Sequence, residues 1–383
     1  MTQPPPQQPS LEQMRWRDYV MIRGDIFDSF WSEHAAEPGR RLLVIVGRGF
    51  DPRAPLALQR IVAAAPACPI DVVALEFEDE LATDSPAQRQ AAEANERAFS
   101  GAVGGRGTVT SKVVKFRNQK RDSVAARSAA NLFADDAVIA GYTDVVVDVS
   151  AMPRVVYFPL LSRLIFFHDD LRARGAAAPN VHVAVSEDPG LDMRIREHGI
   201  EEEASYLHPF EGPFNREAMG GQPTVWVPVL GEGRTHQFER MFVLVKPTEV
   251  CPVLPSPARD PRRSDNIVME YQKMLFDEVG IDPRNIIYAS ELNPFDVYRQ
   301  VRRTVLHYHS VLRLVGGCRV ALSAMCSKVM SLGVLLVAYE LKPSDVQVGI
   351  AHVECQGYDV PADLSTEVEP VGVWLAGECY RKE

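Results

Sequence analysis

The sequence predicts an α/β protein made of two tandem Rossmann-like parallel-sheet halves related by internal duplication, and three observations carry this reading. Short continuous apolar runs, bounded by glycine or polar residues, alternate with longer segments of helical spacing, which is the pattern of strands buried on both faces of a parallel sheet. The alternation occurs twice, over residues 40–190 and 225–360. A motif also recurs in the same place in each pass: Asp148-Val-Ser-Ala-Met-Pro-Arg154 and Ala321-Leu-Ser-Ala-Met-Cys-Ser-Lys328 both set Ser-Ala-Met at a strand end and a basic residue where an apolar helix begins. The serines are 323 − 150 = 173 residues apart and the positions Lys112 and Arg284 at the preceding strands 284 − 112 = 172, in agreement with a repeat. The following strands, 346 − 181 = 165, and the first strands, 241 − 42 = 199, drift from that offset, as loop insertions would make them.

Taken in order, residues 1–10 are rich in Pro and Gln and are expected to be a disordered tail, with 11–39 a helical lead-in. Domain 40–215 opens with a strand at 41–47, followed by a helix at 55–65 and a strand at 70–77. A strand at 112–116, a helix at 123–140, a strand at 144–149, a helix at 155–171 and a strand at 181–186 complete that half. Domain 216–383 is expected to begin with strands at 224–230 and 240–245, and then a Pro-rich polar loop at 252–264. Helix 266–279, strand 285–289, helix 294–314, strand 318–322, helix 328–341 and strand 346–352 follow.

Composition narrows the function. The 383 residues suit two or three domains, and 46% apolar with 24% charged residues excludes a disordered or collagen-like chain. Lys plus Arg against Asp plus Glu gives 41 − 51 = −10, so no broad non-specific nucleic-acid binding and no anionic-membrane surface is expected. The most apolar stretch, 155–167, is shorter than the roughly 20 residues of a span and contains Pro159 and Arg163, so no membrane segment is expected. Without a basic region leading into an apolar core, the N-terminus resembles no secretory signal, and a cytoplasmic protein is expected. The six cysteines form no C-x-x-C pair and read as reduced thiols, while His307 and His309 fall on different helix faces. Neither a metal nor a cofactor is expected.

Ligands of open α/β sheets bind beyond the carboxyl ends of the strands, where helix N-termini offer free N–H groups and a positive dipole. Ser150 with Arg154, and Ser323 with Lys328, stand there and suit a phosphate; in the alternative reading the serines only cap helices and the basic side chains point to water. If the two halves pack about a pseudo-two-fold axis, both loops face one cleft. Gly47-Arg-Gly-Phe-Asp-Pro-Arg53 follows the first strand, so Arg48 and Arg53 suit a phosphate, or Asp51 and Arg53 form an ion pair. Glu291, left over once Asn293, Pro294 and Asp296 are assigned to a helix start, suits orientation of Lys328 or contact with ribose hydroxyls. Cys326 precedes a helix N-terminus but has no assignable base, and reads as a buried core thiol.

A Ser loop ending in Lys or Arg after the fourth strand of a Rossmann-like fold resembles the second ligand motif of CARF domains, and two such folds in one chain are similar to a SAVED domain. The resemblance covers 40–360 by topology and the two Ser-Ala-Met loops by motif. It implies sensing of a cyclic oligonucleotide in prokaryotic antiviral defence, with ligand cleavage in some CARF proteins. The chain shows no effector of its own, so a protein effector or complex subunit is the expected partner. The leading expectation is therefore binding of a nucleotide-type anionic ligand. A nucleotide-processing hydrolase using Asp51, Glu291 or Cys326, and a ligand-free scaffold subunit, are the alternatives.

Overall fold

The structure, a computed structural model, describes residues 14–79, 85–118, 123–192, 194–197, 199–201, 203–215, 221–355, 357–364 and 368–380. The expected tail at 1–10 lies outside the described residues. Two compact units share the chain: Asp18–Gly199 with Cys355–Glu383, here the first unit, and Ile200–Glu354 with Met1–Arg17, the second.

The first unit begins with β1 (Val20–Arg23), α1 (Asp25–His34), β2 (Leu42–Arg48), α2 (Leu56–Ala64), β3 (Ile70–Glu78), α3 (Pro86–Val103) and β4 (Val109–Lys115). It continues with α4 (Ala125–Asn131), β5 (Asp144–Asp148), α5 (Arg154–Ala173), β6 (Asn180–Glu187), α6 (Pro189–Asp192) and β7 (Arg196–Glu197). The second unit holds β8 (Ser205–Tyr206), β9 (Thr224–Val229), α7 (Thr235–Val245), β10 (Glu249–Val250), β11 (Val253–Pro255) and α8 (Arg263–Gln272). It is completed by β12 (Ile287–Ala289), α9 (Pro294–Leu312), β13 (Arg319–Ala324), α10 (Lys328–Leu341) and β14 (Gln347–His352). The chain then returns to the first unit as β15 (Tyr358–Asp359) and β16 (Glu369–Ala376).

Each unit is a mostly parallel seven-stranded sheet. The first runs β1-β16-β6-β5-β2-β3-β4, with β16 antiparallel to both neighbours. The second runs β12-β11-β9-β13-β14-β8, with β10 also paired to β9 and β8 antiparallel at the edge. Along each sheet the parallel strands come in the order third, second, first, fourth, fifth, and an antiparallel strand lies beyond the fifth. This order puts a topological switch point between the first and fourth strands, β2 and β5 in one unit and β9 and β13 in the other.

Burial explains why the strands read so clearly. β2 is buried at every position from Leu42 to Gly47, because α1, α2 and α3 cover one face of its sheet while α4 and α5 pack together in the same unit. On the α1 side, Phe27, Trp31, Leu58, Ile61 and Phe99 close over Leu42, Val44, Val46 and Val72. The helix after the fourth strand is the most enclosed in each unit: eleven of the fourteen residues of α10 are buried, so it is covered on more than one side. Each fully buried Leu or Val there contributes about 1.5–3 kcal/mol.

Several expectations are corrected. Residues 240–245 belong to helix α7, not to a strand: Phe238, Met241 and Val245 are buried at helical spacing and Val243 is 69% exposed. The segment 252–264 is not a plain polar loop, since Val253 and Leu254 are buried in β11 between β9 and β12. Pro252 takes part through its carbonyl, which accepts the Ile287 N–H, so its missing donor costs nothing. The helix expected over 123–140 is confined to Ala125–Asn131, and the lead-in contains strand β1 as well as α1. Residues 369–376 lie in the sheet of the first unit, although the sequence places them in the second half.

Candidate ligand site at the carboxyl ends of the strands

In the first unit the turn after β2 is locked by ion pairs. Arg48 reaches Glu76 at 2.8 Å and Glu96 at 2.7 Å. Arg53 is buried and pairs with Asp51 at 2.8 Å and Asp192 at 2.6 Å, while its own N–H donates to Asp51 at 2.9 Å. Burial alone would make the Arg53 guanidinium less basic, but Asp51 and Asp192 together raise its pKa above the ordinary arginine value. Asn95 donates to the carbonyls of Gly49 and Asp51 and fixes the turn from the side. Both arginines therefore face carboxylates of their own chain.

The two serines are interior groups. Ser150 is fully buried; its hydroxyl donates to Asp148 and accepts the Ser186 N–H at 2.7 Å, tying the end of β5 to β6. Ser323 is also fully buried, and its hydroxyl accepts the indole N–H of Trp226 at 2.9 Å. Each serine thus joins neighbouring strands of its own sheet.

At both switch points the loop after the first strand touches the Ser-Ala-Met loop. A Cβ on Gly47 would stand 3.0 Å from the Ala151 carbonyl oxygen and 3.1 Å from the Met152 side chain. One on Gly231 would stand 2.4 Å from the Met325 carbonyl oxygen and 3.2 Å from the Cys326 Cα. Backbone is thus in close contact at both switch points, and the starts of α5 and α10 form the outer rim of the loops.

Arg154 and Lys328 stand on that rim, each the first residue of its helix and half-buried. No acidic residue is in the first turn of α5 or α10. Ser327 caps α10, accepting the Met330 N–H at 3.3 Å, whereas Pro153 at the cap of α5 has no side-chain acceptor to offer. Cys326, just before this cap, is buried.

Glu291 holds a different partner from the one expected. Its carboxylate accepts the Arg259 N–H at 2.9 Å and pairs with Arg263 at 3.1 Å, so it anchors the loop leading into α8. Asn293 and Asp296 build the start of α9, accepting the N–H groups of Phe295 at 3.0 Å and Ser290 at 2.7 Å. Arg263 is the residue that sequence reasoning missed: it opens α8 at the carboxyl end of β11, 3.9 Å from Glu232 in the loop after β9, and its buried Nε has no hydrogen-bond partner. The available signal was the basic triplet of Arg259, Arg262 and Arg263 after a buried apolar pair.

A groove of about 350 Å³ lies over the carboxyl end of β6, lined by Leu56, Gln59, Arg60, Ala63, Ser186 and Pro370 among others. None of the rim residues above lines it. Among its lining residues, Ser186 has a buried hydroxyl without a hydrogen-bond partner.

No protein family matches the chain, and no curated protein matches it. Among solved structures, a functionally unknown protein from Pseudomonas aeruginosa is similar at 14% identity, over 80% of this chain and 91% of that one, with a TM-score of 0.20. A cyclodipeptide synthase from Bacillus thermoamylovorans is similar at 9% identity, over 88% of this chain and 97% of that one, again with a TM-score of 0.20.

Proposed function

We propose that the chain binds a nucleotide-type anionic ligand at the carboxyl ends of its strands and passes that state to a partner protein. One observation carries the reading: in each unit a basic residue is the first residue of the buried helix after the fourth strand, with no acid in that first turn. A cation there opposes the helix dipole at a cost of about 0.3–1 kcal/mol, and a bound anion offsets it by completing the charge pattern that free N–H groups already favour. The shared strand order of the two sheets supports the duplication reading, and with it a ligand that repeats its phosphates. Cyclic oligonucleotides, the class implied by the CARF and SAVED resemblance, are the first ligands to titrate. Asp51 and Glu291 are each engaged with an arginine, which favours binding over the hydrolase alternative.

The test is a calorimetric titration of wild type, Arg154→Ala and Lys328→Ala against mono-, di- and cyclic oligonucleotides. Each variant is expected to bind more weakly by about 1.5–3 kcal/mol, the scale of a charged hydrogen bond, while remaining folded. Equal binding by all three proteins would remove these residues from the site. Absence of binding by the wild type to every member would favour the scaffold reading, and turnover of a titrant would favour the hydrolase.

A further inference from the structure

At the opposite, amino-terminal edge of the first sheet three side chains with metal-binding atoms meet, each from a different element. Asp144 is the first residue of β5, His182 lies near the start of β6, and His34 ends α1. All three are buried. The Asp144 Oδ1 is 2.7 Å from His34 Nε2 and 3.1 Å from His182 Nε2, and all the ligand atoms lie within 4.8 Å of one another. We propose that this cluster binds a divalent transition-metal ion of the zinc type, which pins α1 to the sheet.

Geometry and surroundings support the assignment. A tetrahedral zinc ion about 2.0–2.2 Å from its nitrogen and oxygen ligands separates those ligands by about 3.3 Å. The Asp144 carboxylate is already at 2.7 and 3.1 Å from the two imidazoles, and the imidazole nitrogens, within 4.8 Å of each other, close by at most about 1.5 Å when the ion binds. The carboxylate is aimed by neighbours, with the Asn180 amide donating to Oδ1 at 2.8 Å and the Thr143 hydroxyl to Oδ2 at 2.7 Å, as in the outer shells of metal sites. Phe30 stacks on the His34 ring at 5.0 Å and Trp374 packs on His182 at 4.8 Å, so the imidazoles sit among aromatic rings.

Arg40 is 3.5 Å from Asp144 Oδ2, but it also pairs with Glu37 and Glu378. The sequence hides the site because its members are 110 and 38 residues apart, with no short spacing to mark them. The opposing reading is a hydrogen-bonded hub, in which both rings donate Nε2–H to Asp144 and no ion is held.

The two readings separate by elemental analysis of the full chain, expressed in zinc-supplemented medium and dialysed, with all first-row transition metals measured in one run. About one metal ion per chain is expected in the wild type, falling at least tenfold in His34→Gln and in His182→Gln while their circular dichroism stays that of a folded protein. Asp144→Asn removes the hub of the hydrogen bonds as well, so the two histidine variants decide the matter. As a second readout, the wild type grown with cobalt is expected to show visible ligand-field bands that both variants lose. A folded wild type with no stoichiometric metal overturns the proposal in favour of the hub. So does metal retained equally by both histidine variants, which places the ion elsewhere.

Discussion

Asp71, the second residue of β3, stands among four donor groups: the Arg41 guanidinium at 2.7 Å, the Tyr142 hydroxyl at 3.0 Å, and the Thr108 N–H and hydroxyl at 2.8 and 2.7 Å. Burial pushes its carboxyl up, yet the bonds from Thr108, Arg41 and Tyr142 outweigh this and hold it down at about 2. A carboxyl depressed by folding adds stability that is full above its unfolded value near 3.8 and is lost as the pH falls through the folded value, here between about pH 4 and 2. Asp71→Asn is expected to cost about 1–2 kcal/mol at neutral pH and to flatten the stability loss over that window, as urea melts at pH 7, 4 and 2 will show. An acid limb as steep as that of the wild type would count against this account. Residues also differ in how much of their setting the sequence reveals. Asp51 was readable as the partner of Arg53 because it is two positions away, whereas Asp192, Glu76 and Glu96 reach their arginines only through the fold. The same is true of Glu291, whose arginines arrive from the loop before α8 and from the first residue of that helix.

The helix pair α9 and α10 of the second unit rests on one small residue. A Cβ on Gly333 would stand 2.5 Å from the Pro294 carbonyl oxygen and 2.6 Å from the Val297 Cβ, so the helices approach closely only because that atom is missing. Alanine is the better helix former by about 1 kcal/mol, but overpacking against a neighbouring backbone costs about 1–3 kcal/mol, and here the close contact is an oxygen that cannot swing aside. Gly333→Ala is therefore expected to lower stability by about 1–2 kcal/mol in denaturant melts, and Gly231→Ala by at least as much, whereas a stabilised Gly333→Ala would mean that the helices separate freely. Elements enclosed on both faces were legible in the sequence because no charged residue interrupts their interiors, as in β2, β13 and α10. Two elements were misread for opposite reasons. Helix α7 carries an unbroken apolar run from Met241 to Val245 that imitates a strand, and β11 is hidden by prolines at 252 and 255 although its Val253 and Leu254 are core.

At the scale of the molecule, the main stretch of the second unit, Ile200–Glu354, has the connectivity of an insertion into the first, while Met1–Arg17 joins the second unit from the start of the chain. The chain leaves the first unit at Gly199 and re-enters it at Cys355, and at that junction β7 and β15 pair antiparallel, Glu197 beside Tyr358. That inserted stretch likewise begins and ends close together, with the Glu201 N–H donating to the Glu354 carbonyl at 2.9 Å. Residues 18–199 joined by a short Gly/Ser linker to 355–383 are thus expected to give a cooperative thermal melt, and residues 40–215 alone to be insoluble, because the fragment leaves β6 without its partner β16. Solubility and a cooperative melt of 40–215 would refute this. Strand β16 lies between β1 and β6, and β1 has no other neighbour in the sheet. The consequence falls on synthesis: between the end of β6 and the start of β16 the ribosome adds 369 − 187 = 182 residues, roughly 10–40 s of translation. Throughout that interval the nascent first unit presents an open edge at β6, so the sheet whose strands are made earliest is closed last, after the whole of 200–354 has been made.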